Sequence, residues 1–446
     1  MSYLRCINLP TQLTKPLCLT SNMMVKQGFA DLLAEKPDLE KYEVLYKHFH
    51  SHPELSLQES QTASTIISHL ESLKAGYELH TSIGGHGLAG VLKNGSGPTV
   101  LLRADIDALP VLEQTGLPYA SKVTMKDVAD GVEKPVMHAC GHDMHITCLL
   151  AAAEQLAGVK SAWTGTLIVL FQPNEERGGG AQAMVDDALY GKIPKPDFVL
   201  GQHVMPLRAG RVGNRAGTIM GAADSFKVTL FGRGGHGSMP HRSIDPVVMA
   251  ANVVLRLQNI VSREINPADA AVVTVGSVQA GQTENIIADR AVLKLNTRTT
   301  TPATRDRVLA AIRRIIIAEC EASNSPKAPL IEPTSRFPLT INDKDVASRL
   351  ASSFGEFFGK DFNPGTASTN GSEDVSILAT SIDRPYNFWF FGGVDPELWD
   401  RAESEGRLFE DVPANHSCYF APVVQPTLTV GFEALCVGAL TFLGKK

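Results

Sequence analysis

Several things are scarce or missing in this sequence. No stretch approaches the ~18 consecutive apolar residues of a membrane span, so a membrane is not an expected partner. Charge of one sign is not in excess: 41 Lys and Arg stand against 47 Asp and Glu, a net charge of −6 at pH 7. With both signs interspersed, that balance argues against nucleic acid or an anionic membrane surface as the main partner. The seven cysteines are irregularly spaced over 446 residues, unlike a secreted disulfide framework. A reducing compartment is expected instead, which means a cytoplasmic protein with Cys140 available as a thiolate. There is no internal repeat and no low-complexity tract. The first thirty residues have no acidic side chain and only Arg5, Lys15 and Lys26 as charges. They also lack the apolar core of a secretory signal. A poorly ordered extension over 1–28 is expected before a core that begins near Phe29, with an organellar presequence as the alternative.

The apolar fraction of 43% and the 38 glycines describe a globular α/β-type protein. Its length exceeds what one hydrophobic core usually supports, so two domains are expected. Leu39–His50 and Ser60–Leu73 have helical periodicity, and Leu88–Leu92 and Thr99–Arg103 read as strands. Thr166–Phe171 is a continuous apolar run of strand length, as in a parallel sheet buried on both faces. It ends at Gln172-Pro173, so Glu175 and Glu176 stand where such a strand delivers residues to a cleft. From about residue 218 two strand–helix–strand passages follow: Ser225–Phe231, Asp245–Ile260, Ala271–Val278, Ala291–Arg298 and Arg305–Ala322. They suggest a ferredoxin-like α+β unit. The expected division is a catalytic α/β domain over 29–217 and 336–446, with an inserted lid over 218–335.

The richest chemistry lies in MHACGHDMH (137–145), followed by NEE, by His203 in GQHV and by His416 in NHSCYF. Thiolate, imidazole and carboxylate together form the mixed donor set that suits zinc and its first-row neighbours. Cys140 and His142 are two apart, so on an extended segment they would face one metal centre. A buried cysteine is otherwise often just a small hydrophobe. His138 and His145 read either as ligands or as groups that orient them, and Asp143 as a ligand's hydrogen-bond partner or a helix cap. Adjacent glutamates on a turn point apart. That suits two roles, one carboxylate on a metal and one taking a proton from activated water. His203 alone would read as a core histidine, and the glutamates alone as a solvated pair.

RADIDALP, HACGHD, FQPNEE, GQHV, GGHGSMP, GSED and NHS, with HSHPELSLQES before them, resemble the M20 metallopeptidase superfamily. The resemblance covers about residues 40–440 and is closest to the branch of N-acyl-amino-acid, auxin-conjugate and hippurate hydrolases. It implies a two-metal catalytic domain with an inserted lid, cleaving an amide next to a free carboxylate. Position by position, it implies Cys140 as the bridging thiolate and His142, Glu176, His203 and His416 as the other ligands. Glu175 would be the general base and His236 the lid histidine that meets the oxyanion. Asn285 and Arg298 would hold the substrate carboxylate, a task for which a planar Arg fork is suited. Asn285 also reads as a turn residue, and Arg298 as a solvated strand-end charge. Asn174 departs from the small residues usual at that place in this branch. The resemblance further implies two divalent ions (zinc, manganese or cobalt) and a homodimer whose lids pair. The rival readings are a dipeptidase or aminopeptidase of the same superfamily, and a binding protein that keeps the fold without catalysis.

Overall fold

The computed structural model describes residues 28–445. The extension expected over 1–28 lies outside the described residues except for Gly28. Strand Gly165–Gln172 is buried almost throughout. It pairs antiparallel with Gly87–Asn94 and parallel with Thr99–Asp105. Thr99–Asp105 in turn lies parallel to Phe198–Arg208, and that strand parallel to Tyr386–Val394. These strands form the centre of an eight-stranded sheet. Burial on both faces is why they read as unbroken apolar runs rather than alternating ones.

Helices His142–Gly158 and Thr427–Leu443 cover one face, in a core with Trp163, Trp389, Phe391 and Phe432. On the other face Ala181 and Met184 of helix Gly180–Asp186 and Leu378 of helix Ser376–Thr380 pack on Ile168 and Phe388. The parallel strands all present their carboxyl ends to one edge, which is where an open α/β sheet places its ligand.

A second, antiparallel sheet has the order Ala271–Ala280, Arg290–Thr299, Ala222–Phe231, Leu330–Phe337. Helices Pro246–Asn259 and Pro302–Ala322 lie in its core with Val228, Leu293, Val253 and Ile312. Along the chain this is β-α-β-β-α-β, the ferredoxin-like order. Its fourth strand, Leu330–Phe337, was hidden in a proline-punctuated stretch. Pro333 falls at a register shift between Ser225 and Phe226 on an edge strand, where a missing N–H is tolerated. The two connections between the sheets run side by side, Gly217–Met220 pairing with Thr340–Asn342. We propose 29–217, 218–335 and 336–446 as the domain boundaries, a division supported by the separate cores of the two sheets.

Candidate metal centre

Helix His142–Gly158 begins at His142 itself. Cys140 and His142 are therefore not on an extended segment, and the convergence argued from extension does not apply. They converge because Gly141 is left-handed (φ 84°) and caps the helix. A Cβ on Gly141 would lie 2.4 Å from a Val204 methyl, so both conformation and space require glycine.

Cys140 Sγ lies 3.4 Å from His203 Nε2. Glu176 reaches two imidazoles, with Oε1 3.8 Å from His142 Nε2 and Oε2 3.5 Å from His416 Nε2. Donor atoms of Cys140, His142 and His203 fall within 4.8 Å of one another, as do those of Cys140, Glu176 and His416. The sulfur is common to both groups. Glu175, with His142 and Glu176, makes a third such group.

Main-chain contacts set the imidazole tautomers. His142 Nδ1 is 2.8 Å from the Asp107 carbonyl and His203 Nδ1 is 2.7 Å from the Val204 carbonyl. A carbonyl can only accept, so each Nδ1 carries a proton, and in the neutral ring each Nε2 offers a lone pair. Two buried atoms of the set, His142 Nε2 and Glu176 Oε1, have no hydrogen-bond partner. Such orphans cost ~1–3 kcal/mol each unless something satisfies them. A divalent cation between them fits.

Charge points the same way. Burial, then neighbouring Glu373, raises the Glu175 carboxyl well above the carboxylate range. Burial pushes Glu176 up to about 8 against the pull of His142. The Cys140 thiol is raised well above its usual value, by burial and then by Glu176. His203 is held well below the normal imidazole value by burial and then His145, and His416 falls to about 4 through burial, His142 and Arg298. Burial would lower His142 as well, but Asp105 and then Asp107 outweigh it and raise that imidazole to about 10. Glutamates and a thiol pushed toward neutrality, and an imidazole drawn toward its charged form, are what a cluster of donors shows when the charge of a cation is missing.

Residues not assigned from the sequence support this set. The Asp107 carboxylate accepts from the backbone N–H of Glu175 at 3.1 Å and of Glu176 at 3.0 Å. Asp105 takes His145 Nδ1 at 2.5 Å, and His145 Nε2 receives the Val204 N–H at 2.8 Å. Both His145 nitrogens therefore have partners, although its donor atom also falls within 4.8 Å of those of Asp105 and His142. Asp143 holds His50 at 2.6 Å through Oδ2, while its Oδ1 accepts the Met144 N–H of the helix's first turn at 2.8 Å. His138 is buried with neither nitrogen partnered. Asn174 is left-handed (φ 53°), a conformation Asn tolerates better than most residues, which accounts for its place before the glutamates. His416 is also left-handed (φ 70°); Asn415 Nδ2, beside it, reaches the carbonyls of Cys140 and Val204 at 3.3 and 3.2 Å. The acidic turn at Asp105–Asp107 follows a parallel strand, and that position was the signal available for both aspartates.

A cavity of about 480 Å³ opens on Cys140, Glu175, Glu176, His203, His416 and Arg298. Arg298 crosses from the second sheet, with Nη1 3.0 Å from Ser372 Oγ and 3.4 Å from the Asn370 carbonyl. His236 and Asn285 are not brought to this centre. Both are exposed, and His236 pairs with Ile286 beside another cavity of the lid, of about 910 Å³. Gly237 donates to the Asn285 carbonyl at 2.8 Å, so the two residues stand together at a separate two-stranded ribbon, Gly235–His236 with Ile286–Ile287.

Peptidase family M20/M25/M40 matches residues 101–406. N-acetyl-L-cysteine deacetylase of Bacillus subtilis is 39% identical over 355 residues, 79% of this chain and 80% of that protein. Hippurate hydrolase of Campylobacter jejuni is 37% identical over 333 residues, 74% of this chain and 82% of that one. The crystal structure of the Bacillus subtilis YXEP protein, described as a dinuclear metal binding peptidase from the M20 family, superposes with a TM-score of 0.67. It is 26% identical and covers 94% of this chain and 99% of that one.

Proposed function

Because this chain belongs to peptidase family M20/M25/M40, we propose that it is a metal-dependent amidohydrolase that cleaves the amide bond of N-acyl amino acids. One observation carries the reading: the Cys140 sulfur is common to two donor groups, His142 with His203 and Glu176 with His416. That arrangement supports two divalent ions, for which zinc, manganese and cobalt all suit the donors. Bound there, the ions would supply Lewis acidity to the scissile carbonyl and acidify a water molecule.

The chain's own groups do the rest. Glu175 takes a proton from the attacking water and delivers it to the amide nitrogen as the C–N bond breaks. The Arg298 fork holds the substrate carboxylate, steadied by Ser372. His236 would donate to the oxyanion, charge that develops only in the transition state, with Asn285 beside it on the substrate carboxylate. Both are exposed at the ribbon formed by Gly235–His236 and Ile286–Ile287, so either the lid closes or a second subunit supplies them. We propose a homodimer in which a partner's lid does so.

Five cysteines are unpaired among the described residues, which supports a reducing compartment, the cytoplasm. No helix of the described residues is long and apolar enough to cross a membrane. The test is a comparison of acetyl-, benzoyl- and indoleacetyl-amino acids with unblocked dipeptides. Blocked substrates should be turned over preferentially. Turnover of dipeptides alone would move the protein to the dipeptidase class.

A further inference from the structure

Two apolar side chains, Met220 and Phe337, line the cavity that holds the carboxylate fork and the acidic centre. Arg298 and Phe337 lie opposite Ala223 on the two strands that flank it. Directly paired residues project to one face of a sheet, so fork and ring stand on the same side. The Phe337 ring covers Gly178, where an added Cβ would lie 2.8 Å from it. Gly178 closes the turn on Glu175, donating to its carbonyl at 2.7 Å. Met220 forms the other flank. It bridges Thr369, and its methyl lies 3.2 Å from where a Gly371 Cβ would be, next to the Ser372 that receives Arg298. Histidines aside, Arg298 is the one cationic side chain lining this cavity among the described residues.

We infer that Met220 and Phe337 form the subsite for the side chain of the departing amino acid, and that this subsite selects apolar side chains and rejects acidic ones. The inference rests on the amidohydrolase reading above. In an N-acyl amino acid a single carbon joins the amide nitrogen to the carboxylate, and that carbon carries the side chain. With the carboxylate on Arg298 and the amide beside Glu175, the side chain meets the wall between those two anchors. Each methylene buried there raises kcat/KM by about fourfold. A second carboxylate would instead lose water against Met220 and Phe337, side chains that offer no donor, next to Glu175 and Glu176.

The experiment uses metal-loaded protein and benzoyl conjugates of Gly, Leu, Met, Phe and Glu, so that only the amino acid varies. Benzoyl-Leu should exceed benzoyl-Glu in kcat/KM by about tenfold or more. Phe337→Lys, at a half-buried position, places an ammonium in the wall and should raise the Glu-to-Leu ratio by about tenfold. Phe337→Ser should lower the preference for Leu over Gly. These ratios cancel any general loss of activity, which a purely structural role would cause equally for every conjugate. If no conjugate is hydrolysed, glycine included, the amidohydrolase reading fails and this inference with it. If conjugates are hydrolysed but Glu matches Leu, or the ratio ignores Phe337→Lys, the inference alone is overturned.

Discussion

The guanidinium of Arg103 is gripped by the carboxylate of Glu373 through two hydrogen bonds, Nη2 to Oε1 at 2.7 Å and Nη1 to Oε2 at 3.1 Å. Asp105 adds a third contact at 2.7 Å, and all three side chains are fully buried or nearly so. The pair joins the strand that leads to Asp105 and Asp107 to the segment that carries Ser372, the partner of Arg298. Removing the cation leaves the buried carboxylates of Glu373 and Asp105 unpaired, so Arg103→Met should destabilise by about 3–5 kcal/mol. Glu373→Gln, which leaves Arg103 paired with Asp105, should cost less. The measurement is the denaturant midpoint of each variant. A loss below about 1 kcal/mol in Arg103→Met would mean the pair is not buried as described.

Metal retention and catalysis should separate by residue. Cys140→Ala removes the atom common to both donor groups and should lower the metal content found by elemental analysis. Glu175→Ala should keep its metal while turnover falls by several orders of magnitude, about 10²–10⁴ for lost proton transfer alone. Full occupancy in the first variant, or near-normal turnover in the second, would remove that residue from its role.

Much of this site could be read in the chain, and the reasons are local. The apolar strand ending in Gln172-Pro173 announces the position of Glu175 and Glu176. Cys140 and His142 declare themselves by type and spacing, although a left-handed Gly141 rather than an extended segment brings them together. What could not be read depends on distance or on backbone. Arg103 and Glu373 are 270 positions apart, and no periodicity links them. Asp107 works by accepting two main-chain N–H groups, which leaves no pattern in side-chain types. Strand Leu330–Phe337 was masked by Pro333, whose place at a register shift only the partner strand reveals. His236 stands exposed, away from the donor groups, a placement that its neighbours in sequence do not reveal.

Whether His236 acts across a dimer can be decided by mixing. Glu175→Ala and His236→Ala proteins are each expected to be inactive. After subunit exchange, a mixed dimer acting in trans contains one site with both residues intact, so part of the activity should return. If the subunits demonstrably exchange and the mixture stays inactive, the histidine acts within its own chain.

His50 should make stability depend on pH. Its Nδ1 is 2.6 Å from Asp143 and its Nε2 3.0 Å from Glu113, in full burial. Burial alone would lower its pKa, but the two carboxylates outweigh this and raise it to about 9. The folded value exceeds the unfolded one of about 6.5. The contribution is therefore fully present below pH 6.5 and lost as pH rises through about 9. The difference in Tm between wild type and His50→Gln should shrink across that window. A difference that stays constant from pH 6 to 9.5 would contradict the charged pairing.

The most direct measurement is hydrolysis of a benzoyl amino acid before chelation, after exhaustive chelation, and after return of zinc, manganese or cobalt, with metal counted at each stage. The account predicts loss of turnover in the metal-free protein and its recovery as occupancy approaches two ions per chain. Undiminished hydrolysis by protein shown to be metal-free, or full occupancy with no hydrolysis of any blocked amino acid, would contradict it.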